Sequence, residues 1–189
     1  MVVFLNWLVK IKRKLWEEVY SLVNRKMSVI DPLTGLMLQH PFRSAGINAM
    51  KVAHRSGFGM AVVFIDLDGF GEINANLGHP GGNRILKSIG EIFRDVLRDT
   101  DIACRFGGDE FVLMLLNTDE DLAKEVINKR LIPQFDCIDV RFSYGISEMA
   151  FPDGRKNIEF EKIFDNLIDE ADGKLYAMKE LKRKDREEK

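Results

Sequence analysis

The sequence predicts an α+β fold: a ferredoxin-like, palm-type antiparallel sheet in β-α-β-β-α-β order, packed by helices and preceded by an N-terminal amphipathic helix. Three observations predict it. AVVFIDLD (61–68) is an uninterrupted apolar run that turns acidic at its end, the kind of strand a sheet buries on both faces. IACRF (102–106) and EFVLMLL (110–116) are two more apolar runs joined tightly through Gly107 and Gly108, which is a hairpin signal. Helical apolar stripes alternate with these runs and with a fourth, VRFSYGISE (140–148).

Composition narrows the class. The 189 residues are 46% hydrophobic and 31% charged, which suits one globular domain with a short appendage rather than a disordered, collagenous or disulfide-framework chain. A net charge of −2 gives no basic field for a nucleic-acid polymer. Cys104 and Cys137 lack zinc-ligand spacing and suit a reducing, cytoplasmic setting. No run reaches the roughly 18–20 apolar residues of a membrane span.

Taken in order, residues 1–30 read as one amphipathic helix. Leu8, Ile11, Leu15, Val19 and Leu22 recur at helical spacing, and Leu8, Leu15 and Leu22 keep a seven-residue step suited to pairing two chains. Apolar MVVFLNWLV precedes basic KIKRK, the reverse of an export signal. Packing or dimerisation is therefore favoured over peripheral contact with the inner membrane through residues 1–16, where Trp7 and Trp16 would face lipid. Asp31-Pro32 ends this helix. A helix over about 38–56 closes near Gly57 and leads into the strand 61–68. Pro80 suits the first turn of the next helix, about 80–98, whose Ile85, Leu86, Ile89, Ile92, Phe93 and Val96 form one apolar stripe. After the hairpin come a helix over about 119–131, the strand 140–148 and a last helix over about 158–184. Gly173 weakens that last helix by about 1 kcal/mol relative to alanine. The main domain thus covers 31–184 and a charged tail 185–189. This topology places the helices against one face of the sheet.

Two acidic clusters carry the chemistry. Asp66 and Asp68 close the first strand, and Asp109 and Glu110 lie at the hairpin tip. If the strand neighbours the hairpin, four carboxylates meet at one edge and need compensation, since like charges raise one another's pKa. A hard divalent cation is the simplest compensator. Mg²⁺ favours a few carboxylates together with substrate phosphates, and a pair of such ions serves phosphoryl or nucleotidyl transfer. Solvated turn acids are the alternative. Gly107, Gly108 and the DGFG segment (68–71) let the backbone approach a phosphate. Lys179 and Arg183 are four apart on one helix face and suit terminal phosphates, although a basic helix end is also what solvation alone would give.

The stretch RFGGDEFV (105–112) resembles the signature of the GGDEF family, the diguanylate cyclases. DPLTGL (31–36), FIDLDGFGEIN (64–74), GHPGGN (78–83) and ADGKLYAMK (171–179) are similar to further family motifs and follow in the family's order. The resemblance covers about 31–184. It implies that each chain binds one GTP and that two chains form a homodimer, each 3′-hydroxyl attacking the α-phosphate of the other nucleotide. The products would be cyclic di-GMP and two pyrophosphates. By the same resemblance Asp66, Asp109 and the Leu67 carbonyl would bind two Mg²⁺ ions per site, with Mn²⁺ as the substitute, and Glu110 would complete the acidic cluster. Gly69 and Phe70 would donate backbone N–H groups to phosphate beside Gly107 and Gly108. Asn74 and Asn83 would face guanine, and Lys179 and Arg183 would take the terminal phosphates. RDTD (98–101) is similar to the family's RxxD inhibitory site, where Arg98 and Asp101 would hold cyclic di-GMP.

The chain departs from the family pattern in three places. Leu38, Gln39 and His40 stand where Asn-Arg-Arg is usual, and Gly71 stands in place of a lysine near the phosphates. Asn83 replaces an aspartate that accepts from guanine. A carboxamide offers one acceptor and one donor, which loses a charge-assisted bond to guanine but matches adenine. Two alternatives to a strict GTP cyclase stay open: a cyclic dinucleotide synthase using GTP and ATP, and a non-catalytic receptor for GTP or cyclic di-GMP.

Overall fold

The computed structural model describes residues 28–151 and 158–187. The predicted first helix lies outside these residues as far as 27. Residues 28–30 are extended, not helical, and fold back so that Ile30 bridges Met37 and the Leu38 amide donates to the Val29 carbonyl at 2.9 Å. Among the described residues, no helix is long and apolar enough to cross a membrane.

The elements run β1 (Met37–Leu38), α1 (Gln39–Ser56), β2 (Met60–Leu67), α2 (Phe70–Val96), β3 (Ile102–Arg105), β4 (Glu110–Leu116), α3 (Glu120–Val126), a π-helical turn (Ile127–Leu131), α4 (Ile132–Asp136), β5 (Phe142–Met149) and α5 (Phe160–Glu187). The sheet order is β1-β3-β4-β2-β5. Among β3, β4, β2 and β5 each strand is antiparallel to its neighbour, and the four reproduce the ferredoxin-like order. The two-residue β1 adds a fifth strand parallel to β3, which makes the sheet mixed.

Strand β2 is buried along its whole length except at Asp66, because β4 and β5 flank it and helices cover both of its faces. Ala61, Val63, Ile65 and Leu67 point into a core shared with α2, α3 and α4. Met60, Val62 and Phe64 point into a second core beneath α1 and α5. Helices therefore lie on both faces, whereas the sequence suggested one. The two crossover connections occupy the predicted face; the flanking helices α1 and α5 seal the other.

Helix α2 starts ten residues before the predicted Pro80. Gly69, in the left-handed region at φ 72°, caps it, and Gly78 (φ 66°, ψ 167°) kinks it where the sequence suggested a start. Strand β5 and α5 approach closely. A Cβ at Gly145 would collide with the Ala171 carbonyl and the Leu175 amide, and the Ser147 hydroxyl donates to the Leu167 carbonyl at 2.7 Å. Helix backbone thus rests directly on strand backbone, with Phe164, Leu167, Ile168 and Leu175 filling the core on either side.

Candidate active site

Where β2 leaves the core, its register places Asp66 opposite Glu110 on β4 and opposite Ser143 on β5. The Leu67 amide donates to the Asp109 carbonyl at 3.2 Å, which ties the hairpin tip to the strand end. The chain then turns through Gly69, whose carbonyl accepts from Glu72 and Ile73, so that α2 begins at the site with Phe70 buried beneath it. Pleated strands bring these carboxylates together: each sits at the last ladder position before a loop, half out of the core.

Helix α5 brings cations to the same rim. Lys179 Nζ lies 2.6 Å from Asp66 Oδ1, and Lys182 Nζ lies 2.7 Å from Asp68 Oδ2. Lys182 also donates to the Phe142 carbonyl at 2.9 Å, and Ser143 Oγ donates to Asp68 Oδ1 at 2.6 Å. Asp66, Leu67, Asp68 and Gly69 line an open pocket of about 230 Å³ together with Ser143, Lys179, Lys182 and Arg183. Arg183 is held by Glu180 of its own helix at 2.9 Å.

Electrostatics follow from this crowding. Burial raises the Asp66 carboxyl above its ordinary value; Asp109 and Asp68 add to the rise, and Lys179 opposes it. Glu110 is raised as well, by burial first and then by Asp66, Asp109 and Asp172, with Lys179 again opposing. Both carboxyls are therefore short of positive charge. Among the described residues no three acidic, His or Cys side chains converge tightly enough to enclose a metal ion by themselves. The chemistry of the donors is that of a hard cation: the oxygens of Asp66, Asp109, Glu110 and the Leu67 carbonyl could hold Mg²⁺, which leaves much of its shell to water and phosphate oxygens.

A second network fixes the hairpin. Arg105 Nε and Nη2 donate to the Gly108 carbonyl at 3.2 and 2.7 Å, while Nη1 donates to Asp31 Oδ2 at 3.1 Å. That same oxygen accepts from the Thr34 amide (2.9 Å) and hydroxyl (2.7 Å). Burial alone would raise Asp31, but the Thr34 and Arg105 hydrogen bonds outweigh it and hold the carboxyl below its ordinary value. DPLTGL and RFGGDEFV, 74 residues apart, are thus one physical unit.

The remaining predicted residues lie further out. Asn74 is half-buried on the first segment of α2, and a Cβ at Gly82 would strike its Oδ1, so the glycine makes room for that amide. Asn83 is exposed one position beyond. Arg98 is exposed, whereas Asp101 is engaged: its carboxylate accepts from the Arg98 amide at 3.1 Å and from the Leu116 amide at 3.2 Å. Both line a separate hollow of about 380 Å³ between the 30–37 segment and the end of α2. Lys182, Ser143 and the Asp31–Arg105 pair escaped the sequence reading. Lys182 had a signal, being three residues from Lys179 on the same helix face.

Comparison with known proteins identifies a family and a shared fold. The family model for the diguanylate cyclase GGDEF domain matches residues 28–185. Diguanylate cyclase A of Treponema denticola is 30% identical over 166 residues, 82% of this chain and 43% of that protein. Diguanylate cyclase DgcS of Shewanella oneidensis is 30% identical over 153 residues, 80% of this chain and 50% of that protein. The cyclic di-GMP phosphodiesterase NbdA of Pseudomonas aeruginosa is 39% identical over 108 residues, 57% of this chain but 14% of that protein. The chain spans half or less of the length of these relatives. Among solved structures, a sensory box/GGDEF family protein from Caulobacter crescentus superposes with a TM-score of 0.68 at 29% identity, covering 81% of this chain and 99% of that one.

Proposed function

The chain belongs to the diguanylate cyclase GGDEF domain family, and from that premise we propose that it condenses two GTP into cyclic di-GMP and two pyrophosphates across a homodimer. The observation that carries the proposal is the shared rim: Asp66 facing Glu110, Asp109 tied to Leu67, and Lys179 with Arg183 in the same pocket.

Asp66, Asp109 and the Leu67 carbonyl would hold the metal, Mg²⁺ or Mn²⁺ at two ions per site, with Glu110 completing the donor set. When bound, the metal polarises the α-phosphate and offsets charge on the leaving pyrophosphate. Lys179 and Arg183 take the terminal phosphates, and the backbone N–H groups of Gly69 and Phe70, with the Gly107–Gly108 tip, approach the remaining phosphate oxygens. Asn74 and Asn83 orient the base. The 3′-oxygen of one nucleotide bonds to the α-phosphorus of the other, the bond to pyrophosphate breaks, and the hydroxyl proton passes to the acidic cluster. One chain carries half of this arrangement, so turnover depends on pairing. Incubation of the protein with GTP and Mg²⁺ yields cyclic di-GMP, and Asp109→Ala removes it. A wild-type protein that binds GTP but forms no product would instead be a receptor.

Arg98 and Asp101 form the product-inhibition site in this reading. With the Asp101 carboxylate already committed to two backbone amides, Arg98 supplies the main recognition, and Arg98→Ala abolishes tight product binding. Unchanged inhibition in that variant removes the assignment. A second reading, relaxed base choice, is favoured by Asn83 alone. Equal GTP and ATP in one reaction would then give mixed cyclic products, and exclusive cyclic di-GMP would end it.

A further inference from the structure

We infer that Lys179 is an exchangeable counter-ion that keeps Asp66 closed to a divalent cation until a triphosphate draws it away, so that the site takes up metal and nucleotide together and holds metal alone weakly. The inference deepens the proposed cyclase function and rests on it for the identity of the two ligands.

The two lysines of the pocket are equally exposed, each 39%, but they are held differently. Lys182 is anchored twice, by Asp68 and by the Phe142 carbonyl, and Asp68 is itself pinned by Ser143. Moving Lys182 would take its donor from both Asp68 Oδ2 and the Phe142 carbonyl of β5. Lys179 has one ion-pair partner among the described residues, Asp66 Oδ1 at 2.6 Å, with Glu110 near enough to feel its charge. It is the cation that can leave. While it stays, an ammonium sits on the carboxylate that a metal would use, and two cations cannot share that oxygen without strong repulsion.

A triphosphate reverses the balance. Lys179 and Arg183 line the same pocket, and phosphate oxygens compete for both. As Lys179 turns to phosphate it frees Asp66, at the moment when phosphate oxygens can share the metal's coordination shell. Linkage then requires reciprocity: nucleotide tightens metal by the factor with which metal tightens nucleotide.

The test titrates Mn²⁺ into the full chain, following free Mn²⁺ by electron paramagnetic resonance, first alone and then with 3′-deoxy-GTP, which cannot cyclise. We expect Lys179→Met, and Lys179→Gln as a second variant, to bind Mn²⁺ alone about tenfold more tightly than wild type and 3′-deoxy-GTP about tenfold more weakly. Arg183→Met removes the same unit charge without freeing Asp66, and should change Mn²⁺ affinity by less than about threefold. Adding Asp66→Asn to Lys179→Met should cancel the gain. Unchanged or weaker Mn²⁺ binding in both Lys179 variants overturns the inference, as does an equal gain in Arg183→Met or a gain that survives Asp66→Asn. The metal-only arm involves no turnover, so it decides the Lys179–Asp66 exchange even if wild type makes no cyclic di-GMP, a result that would count against the cyclase reading itself.

Discussion

Replacing Arg105 with alanine should destabilise the domain by about 3 kcal/mol. Its guanidinium and the Asp31 carboxylate are 17% and 11% exposed. Removing one partner of a fully buried pair costs about 3–5 kcal/mol. Asp31 keeps two Thr34 donors, which places this loss at about 2–3 kcal/mol. The Gly108 carbonyl belongs to an exposed residue, so water replaces its lost donors at under about 1 kcal/mol. In a domain of this size that sum lowers Tm by about 6–12 °C. The pH dependence has a definite sign. Because the folded state depresses Asp31, the pair contributes fully above the unfolded aspartate value of about 3.9 and is lost as pH falls through the lower folded value. The Arg105→Ala deficit should therefore be largest at neutral pH and shrink in acid. Urea unfolding of wild type, Arg105→Ala, Asp31→Asn and the double variant measures the coupling directly. A coupling energy under about 0.5 kcal/mol at pH 7 would refute the argument that these residues act as one unit.

Three further outcomes are expected. Glu110→Gln removes a carboxylate that burial and its acidic neighbours disfavour; it should cost at least about a hundredfold in cyclase rate. The raised folded pKa makes native Glu110 most favourable below the unfolded value and less so as pH rises through the folded one, so the glutamine variant should gain in melting temperature over wild type at pH 7 and lose that gain as pH falls below the unfolded glutamate value. Gly71→Lys meets no atom within 4 Å of its new Cβ; it should stabilise α2 by about 0.5 kcal/mol and lower the KM for GTP, and an unchanged KM would show that the phosphates lie elsewhere. Asn83→Asp should raise the preference for GTP over ATP in a mixed-substrate assay by about tenfold, the worth of one charge-assisted bond; no change would place Asn83 away from the base.

The sequence was most readable where one physical cause dominates. Strand β2 could be read because burial on both faces leaves no room for alternation, and the β3–β4 hairpin because two apolar runs flank a connection of only a few residues. Strand β1 could not be read: two residues carry no period, and only parallel pairing with β3 defines it. The start of α2 was hidden because Gly69, Gly71 and Gly78 look like breaks, yet Phe70–Leu77 supplies two helical turns before the kink. Site letters were legible as local strings. Their partners were not: nothing near Asp31 in the chain announces Arg105, and the spacing that puts Lys182 beside Lys179 does not name Asp68 and the Phe142 carbonyl as its acceptors.

Gly145 sets a dimension. With no side chain between strand and helix, the separation of β5 from α5 is fixed by main-chain atoms, which yield far less than rotamers do. Both pocket lysines ride on that helix, while their carboxylates sit on the strand next to β5 and in the turn that directly follows it. A single methyl group at 145 would lift the helix as a rigid lever and widen the two lysine–carboxylate gaps together, leaving every letter of the signature in place and the pocket out of gauge.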